Sequence, residues 1–154
     1  MHVCCGIGDR TPAAGSLRSE TVHVEPVIIL GTESEGVSVV DVGGLHGSAP
    51  ERALVQVSAN GLRATQWVVE YPDFRGLVKY FTDLERRWRG WRGTKTWISL
   101  EGDLAFTATH SGSHVNFSMR VESHSDWKLQ VELSIGAGED LSAARAEVAR
   151  LFER

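Results

Sequence analysis

Long apolar runs are missing from the 154-residue chain: the longest, residues 27–30, is the size of a strand, far short of the about 18 residues a membrane-spanning helix needs. The first residues, MHVCCGIGDRTPAAGSLRSE, lack the basic start and the apolar stretch of a secretion signal, which points to a cytoplasmic protein. Cysteine is scarce. Cys4 and Cys5 are the two present; adjacent thiols rarely close on each other because the bridge strains the peptide between them, and no further cysteine completes a four-thiolate zinc site. Proline is also scarce, with four residues, none clustered, which excludes a proline-rich linker. Excess positive charge is absent too: 16 basic against 20 acidic residues give a net charge of −4, unlike a general nucleic-acid coat.

Motifs for familiar chemistry are equally absent. There is no G-x-S-x-G nucleophile elbow. Gly6-Ile7-Gly8 and Gly43-Gly44 are not followed by a helix carrying Lys and Ser or Thr, so no nucleotide cofactor is expected. Glu101 and Asp103 flank a glycine and suit a turn better than acid–base work. Of the six histidines, His110 and His114 straddle a Ser-Gly-Ser turn that offers half a metal site; no ligand at suitable spacing completes it. No metal, cofactor or catalytic residue is assigned, and the chain reads as a non-enzyme.

What is present is material for a core. Leu, Ile, Val and Phe total 40 residues, and glycine, with 16, supplies many turns. Residues 1–20 are poor in large apolar side chains and read as a flexible leader, leaving 21–154 as a single domain. Val22, Val24 and residues 27–30 suggest a first strand, and Val37, Val39, Val40 and Val42 a second. Residues 52–59 and 62–69 flank Asn60-Gly61, a dipeptide suited to the two positive φ angles of a type I′ hairpin. Phe74, Leu77, Val78, Phe81, Leu84 and Trp88 then fall on one stripe of a helix over 72–88, with Pro72 in its first turn and Gly90 ending it. Four alternating segments follow. They are centred on Ile98 and Leu100, on Leu104 to Ala108, on Val115 to Val121 and on Trp127 to Ile135, and they put Thr107, Asn116, Ser118, Arg120, Lys128, Gln130 and Glu132 on the opposite, polar face. A terminal amphipathic helix starts at Gly138-Glu139-Asp140. The expected class is α+β, an antiparallel sheet of about eight strands, curved or in two parts, packed by two amphipathic helices.

One local composition stands apart. Residues 86–95, RRWRGWRGTK, carry five basic residues and no acid, leaving 11 basic against 20 acidic elsewhere. Interleaved Arg and Trp suit a protein interface or single-stranded nucleic acid. Trp88 belongs to the helix stripe and reads as core, whereas Trp91 has no place on that stripe. The candidate partner-binding residues are therefore Arg86, Arg89, Trp91, Arg92 and Lys95, with Arg87 added in the nucleic-acid reading.

The stretch Trp97-Ile98-Ser99-Leu100-Glu101-Gly102-Asp103-Leu104, then Gly112-Ser113-His114-Val115 and Trp127, resembles a small bacterial domain family of unknown function. It is more loosely similar to the WapI-type immunity proteins of polymorphic toxin systems. The likeness covers residues 71–152. It implies core positions for Trp97, Leu100 and Leu104, a turn position for His114, and a non-enzymatic domain that binds another protein, for which an immunity protein that neutralises a toxin by direct binding is the candidate role.

Overall fold

The computed structural model describes residues 25–44, 49–124 and 126–153. The leader, its two cysteines, and Val22 and Val24 lie outside them. Eight strands and two helices follow in the order β1 (Val27–Gly31), β2 (Gly36–Gly43), β3 (Arg52–Ala59), β4 (Leu62–Val69), α1 (Arg75–Arg86), β5 (Thr94–Ile98), β6 (Leu104–Ser111), β7 (His114–Ser123), β8 (Trp127–Gly136) and α2 (Glu139–Phe152). The strands form two antiparallel sheets, β1-β2-β3-β4 and β5-β6-β7-β8, each in sequence order. The fold is α+β, with the sheet in two parts.

Local chemistry explains most boundaries. Asn60 and Gly61 turn the β3–β4 hairpin at φ 47° and 83°, the left-handed values a type I′ turn demands. Gly31, at φ 77°, joins β1 to its turn where a Cβ would lie 2.2 Å from the Glu35 carbonyl oxygen and 2.9 Å from Leu133 of β8. Only glycine fits there. The first helix is shorter than the apolar stripe suggests. Pro72 follows a cis peptide bond and precedes the helix. The start is organised instead by the buried Asp73 carboxylate, which accepts the Arg75 N–H at 2.9 Å and the Arg75 guanidinium Nε at 2.7 Å. These contacts, with the Arg75 backbone bond foremost, hold the Asp73 carboxyl below the usual range.

In the second sheet, cross-strand register collects the apolar residues into rows. Trp97, Phe106, Met119 and Val131 form one, Ala108, Phe117 and Leu133 another, and Leu104, Val121 and Leu129 a third. Onto these rows α1 sets Phe81, fully buried, 5.7 Å from Phe106 edge-on and 6.0 Å from Phe117 stacked. Phe74 stacks on Phe152 at 4.4 Å and ties α1 to α2. The valines of the first sheet, including Val37, Val55 and Val57, complete the same core. Trp97 packs against this core and Leu104 is buried, but Leu100 is 63% exposed. Strand β5 stops at Ile98, so Leu100 sits in the following turn and does not take the core position that the family resemblance implies.

That turn is fastened to the first sheet. The Glu70 carboxylate, just after β4, accepts the Leu100 N–H, and inside the turn the Ser99 hydroxyl donates to buried Asp103 at 2.6 Å while accepting the Leu104 N–H at 3.0 Å. Burial pushes the Glu70 carboxyl above its ordinary 4.5, the Leu100 N–H opposes the rise, and the nearby Asp103 charge adds to it.

Two outcomes follow. Phe81→Ala, which empties the space between Phe106 and Phe117, should lower unfolding free energy in urea by about 3–5 kcal/mol. For Glu70, a raised folded-state pKa means the native chain binds more protons than the unfolded chain in the window starting at 4.5, so the group's contribution to stability falls as pH rises through it. The Glu70→Gln variant should therefore gain stability relative to wild type on going from about pH 4 to about pH 7. A difference constant across urea titrations at both pH values would contradict this.

Candidate functional site

The Arg- and Trp-rich segment forms the corner between α1 and β5. Helix α1 ends at Arg86, where the Arg87 N–H reaches the carbonyls of Asp83 and Leu84, and the chain leaves through a turn closed by the Gly90 N–H on the Arg87 carbonyl at 2.8 Å. Gly90 has φ 142°, which favours glycine. The helix therefore stops before Trp88. That indole, expected in the core, is 49% exposed instead.

Trp91 takes the inward position. It packs against the core and meets His110 edge-to-face, with ring centroids 5.1 Å apart. His110 lies on the apolar side of the second sheet, in the row with Val115 and Ile135, and its Nε2 is 2.8 Å from the Trp88 carbonyl oxygen. Because a carbonyl only accepts, Nε2 carries the hydrogen of that bond. One imidazole thus supports Trp91 and fixes the backbone at Trp88. The Trp91 Nε1 is buried with no hydrogen-bond partner among the described residues.

Lys95 is also held inward. It sits in register with Ala108 on the helix-facing side of β5, and its ammonium pairs with Asp83 of α1 at 2.8 Å. Its carbonyl accepts the Tyr80 hydroxyl at 3.0 Å, and burial raises the Tyr80 pKa strongly. Asp83 receives the Arg87 Nε as well, at 3.3 Å. The Lys95 hydrogen bond is the main cause that holds the Asp83 carboxyl below its ordinary value.

The segment thus divides into two sets. Trp91, Lys95 and Arg87 are engaged with the protein's own side chains and backbone. Arg86, Arg89 and Arg92 are exposed and form no ion pair among the described residues, and the Arg89 guanidinium lies over the Trp88 ring at 5.2 Å. Trp88 thereby joins the candidate surface, and Trp91 and Lys95 become its supports. The sequence signal for the exchange is faint: Trp88 continues the helical spacing, and only the tertiary partner His110 reveals why Trp91 turns inward.

Among the described residues, the other histidines and the carboxylates are dispersed. His110 and His114 project to opposite faces of the second sheet, so the hairpin does not bring them together as ligands. His114 Nδ1 is 3.2 Å from the Ser113 hydroxyl and His124 is 3.4 Å from Glu101. No group of three or more potential metal-ligating side chains is found among the described residues, and no helix there is long and apolar enough to cross a membrane. A cleft of about 500 Å³ between β1, β8 and α2 is lined by Glu35, Asp140 and Glu147. Asp140 is engaged by the Gly136 N–H and Glu147 by Arg150.

A family model matches residues 30–154, from the end of β1 to the last residue of the sequence. The chain belongs to this family, a family of unknown function (DUF6228). The DUF6228 match includes the whole α1–β5 corner and both helices. No curated protein matches the chain. No solved structure matches it either.

The division of the corner has a direct consequence for stability. Trp91→Ala removes a packed indole and should cost about 3–5 kcal/mol. Trp88→Ala, at an exposed site, should stay within about 1 kcal/mol of wild type. Equal losses in urea denaturation would show that both rings belong to the core.

Proposed function

We propose that this DUF6228 chain is a non-enzymatic protein-binding domain, an immunity protein that neutralises a toxin by direct binding, and that the α1–β5 corner is its contact surface. The observation that carries the reading is the half-exposed Trp88 indole with Arg89 over it, with Arg86 and Arg92 close by in sequence, exposed and in no ion pair among the described residues. Trp and Arg are the residues that concentrate binding energy in protein interfaces, because a large rigid ring and a planar guanidinium give much contact area for little lost freedom. The supports beneath them, Trp91 on His110 and Lys95 on Asp83, hold the backbone in place before a partner arrives, which lowers the ordering cost of association. The cationic corner is complementary to an acidic patch on the partner.

The same exposed ring and arginines favour a second reading, single-stranded nucleic-acid binding by base stacking and phosphate pairing. It ranks below the first because the corner offers one exposed indole rather than a row of stacking platforms.

Co-expression with the product of a neighbouring gene distinguishes them. The protein-binding reading expects a stable complex and relief of toxicity, weakened by about tenfold or more when Trp88, Arg86, Arg89 and Arg92 are changed to alanine together. Failure to co-purify and to protect would remove it. Binding of a labelled single-stranded oligonucleotide at low salt, lost as salt rises, would favour the second reading instead.

A further inference from the structure

A second surface lies at the other end of the second sheet. The α1–β5 corner is joined to the end where Thr94 pairs with Thr109, whereas Trp127 begins β8 at the opposite end, paired with Ser123. There the starts of β4 and β8 face each other across a groove of about 430 Å³. Among the described residues both strands are sheet edges: β4 pairs only with β3 and β8 only with β7.

The groove is the open mouth of the space between the two sheets. Leu62 and Ala64 continue the inward row of β4 that ends in buried Val68, and Trp127 and Leu129 continue the inward row of β8 that leads to Val131. Ala64 and Leu129 still pack on the core. Leu62 and Trp127, at 63% and 37% exposed, lie beyond its cover. The charged lining residues are Arg63 and Lys128, on the outward-facing positions of their strands. Neither takes part in an ion pair among the described residues, in a chain whose net charge is −4. The floor is apolar and both charged lining residues are cationic, with Glu122 of β7 in register with Lys128 outside the groove, and this defines its complement.

We propose that this groove binds an extended acidic segment of a partner protein, one with a large apolar side chain flanked by Asp or Glu. The apolar side chain covers Leu62 and Trp127, where removing apolar area from water is favourable. The flanking carboxylates pair with Arg63 and Lys128, and the segment's backbone adds along one of the two open strand edges. A basic segment is disfavoured, because it would bring like charges together at the rim. This surface is separate from the corner and goes beyond the function proposed above.

The test uses the full chain and a fluorescein-labelled peptide, Glu-Asp-Leu-Phe-Glu-Asp, followed by anisotropy and by backbone amide shifts. Saturable binding is expected, with shifts concentrated at residues 62–65 and 127–129. Affinity should fall by about tenfold or more in the Arg63→Glu/Lys128→Glu double variant and in Leu62→Ser; both alter exposed side chains, and circular dichroism checks their folding. The peptide with Lys in place of each acid should bind the wild type at least about tenfold more weakly. The Arg86→Ala/Arg89→Ala/Arg92→Ala variant should bind the acidic peptide as wild type does, so loss of the corner's role leaves this result standing. No binding, equal binding by the double variant or by the basic peptide, or a dependence on the corner arginines instead, would overturn the proposal.

Discussion

Phe81 wedges helix α1 against the second sheet, edge-on to Phe106 and stacked on Phe117, and the position of the α1–β5 corner depends on that contact. With the helix seated, Asp83, two residues further along α1, reaches Lys95 on β5, and Tyr80, one residue earlier, reaches the Lys95 carbonyl. The α1–β5 connection is thus tied from both sides, and its turn has little freedom. Phe74 on Phe152 is a separate stacked pair that ties α2 to α1, the helix that Phe81 seats on the sheet carrying the candidate surface. The first sheet is linked in by the Glu70 bond to the Leu100 N–H and by the shared valine core.

Within the corner, charge is sorted by partner. Five basic residues occupy ten positions, yet two of them, Arg87 and Lys95, share the Asp83 carboxylate of α1. The three without an ion pair among the described residues, Arg86, Arg89 and Arg92, are exposed, and Arg89 lies over the exposed Trp88 indole. Exposed ion pairs contribute little to stability, so the Asp83 contacts matter more for fixing geometry than for holding the fold. A preformed cationic and aromatic surface on a rigid turn is what an interface anchor requires.

Much of the architecture was legible because its signals are local. Asn60-Gly61 marks its hairpin through backbone sterics, and the period-2 runs from Leu104 to Ile135 are the strands β6 to β8 with their polar faces as read. The helix boundaries were less legible. Trp88 extends a 3.6-residue stripe, but the chain turns after Arg86, and Pro72 yields the start of the helix to the Asp73 contacts. Ile98 and Leu100 alternate in sequence, yet neither takes the apolar face: Ile98 is exposed on the side of β5 opposite Trp97, and Leu100 falls in a turn shaped by Glu70 and Asp103 hydrogen bonds from residues with no periodic signature. In the same way, the exchange of roles between Trp88 and Trp91 is decided by His110, about twenty residues away in sequence. The cationic groove was not legible at all, since it needs the mutual placement of two sheets.

The central claim is that this domain acts through its α1–β5 corner, and hydrogen–deuterium exchange of the chain alone and in complex with the co-expressed product of a neighbouring gene tests it most directly. The account predicts that amides of residues 86–93 slow on complex formation by about tenfold or more. A complex in which those amides exchange as fast as in the free chain would contradict it.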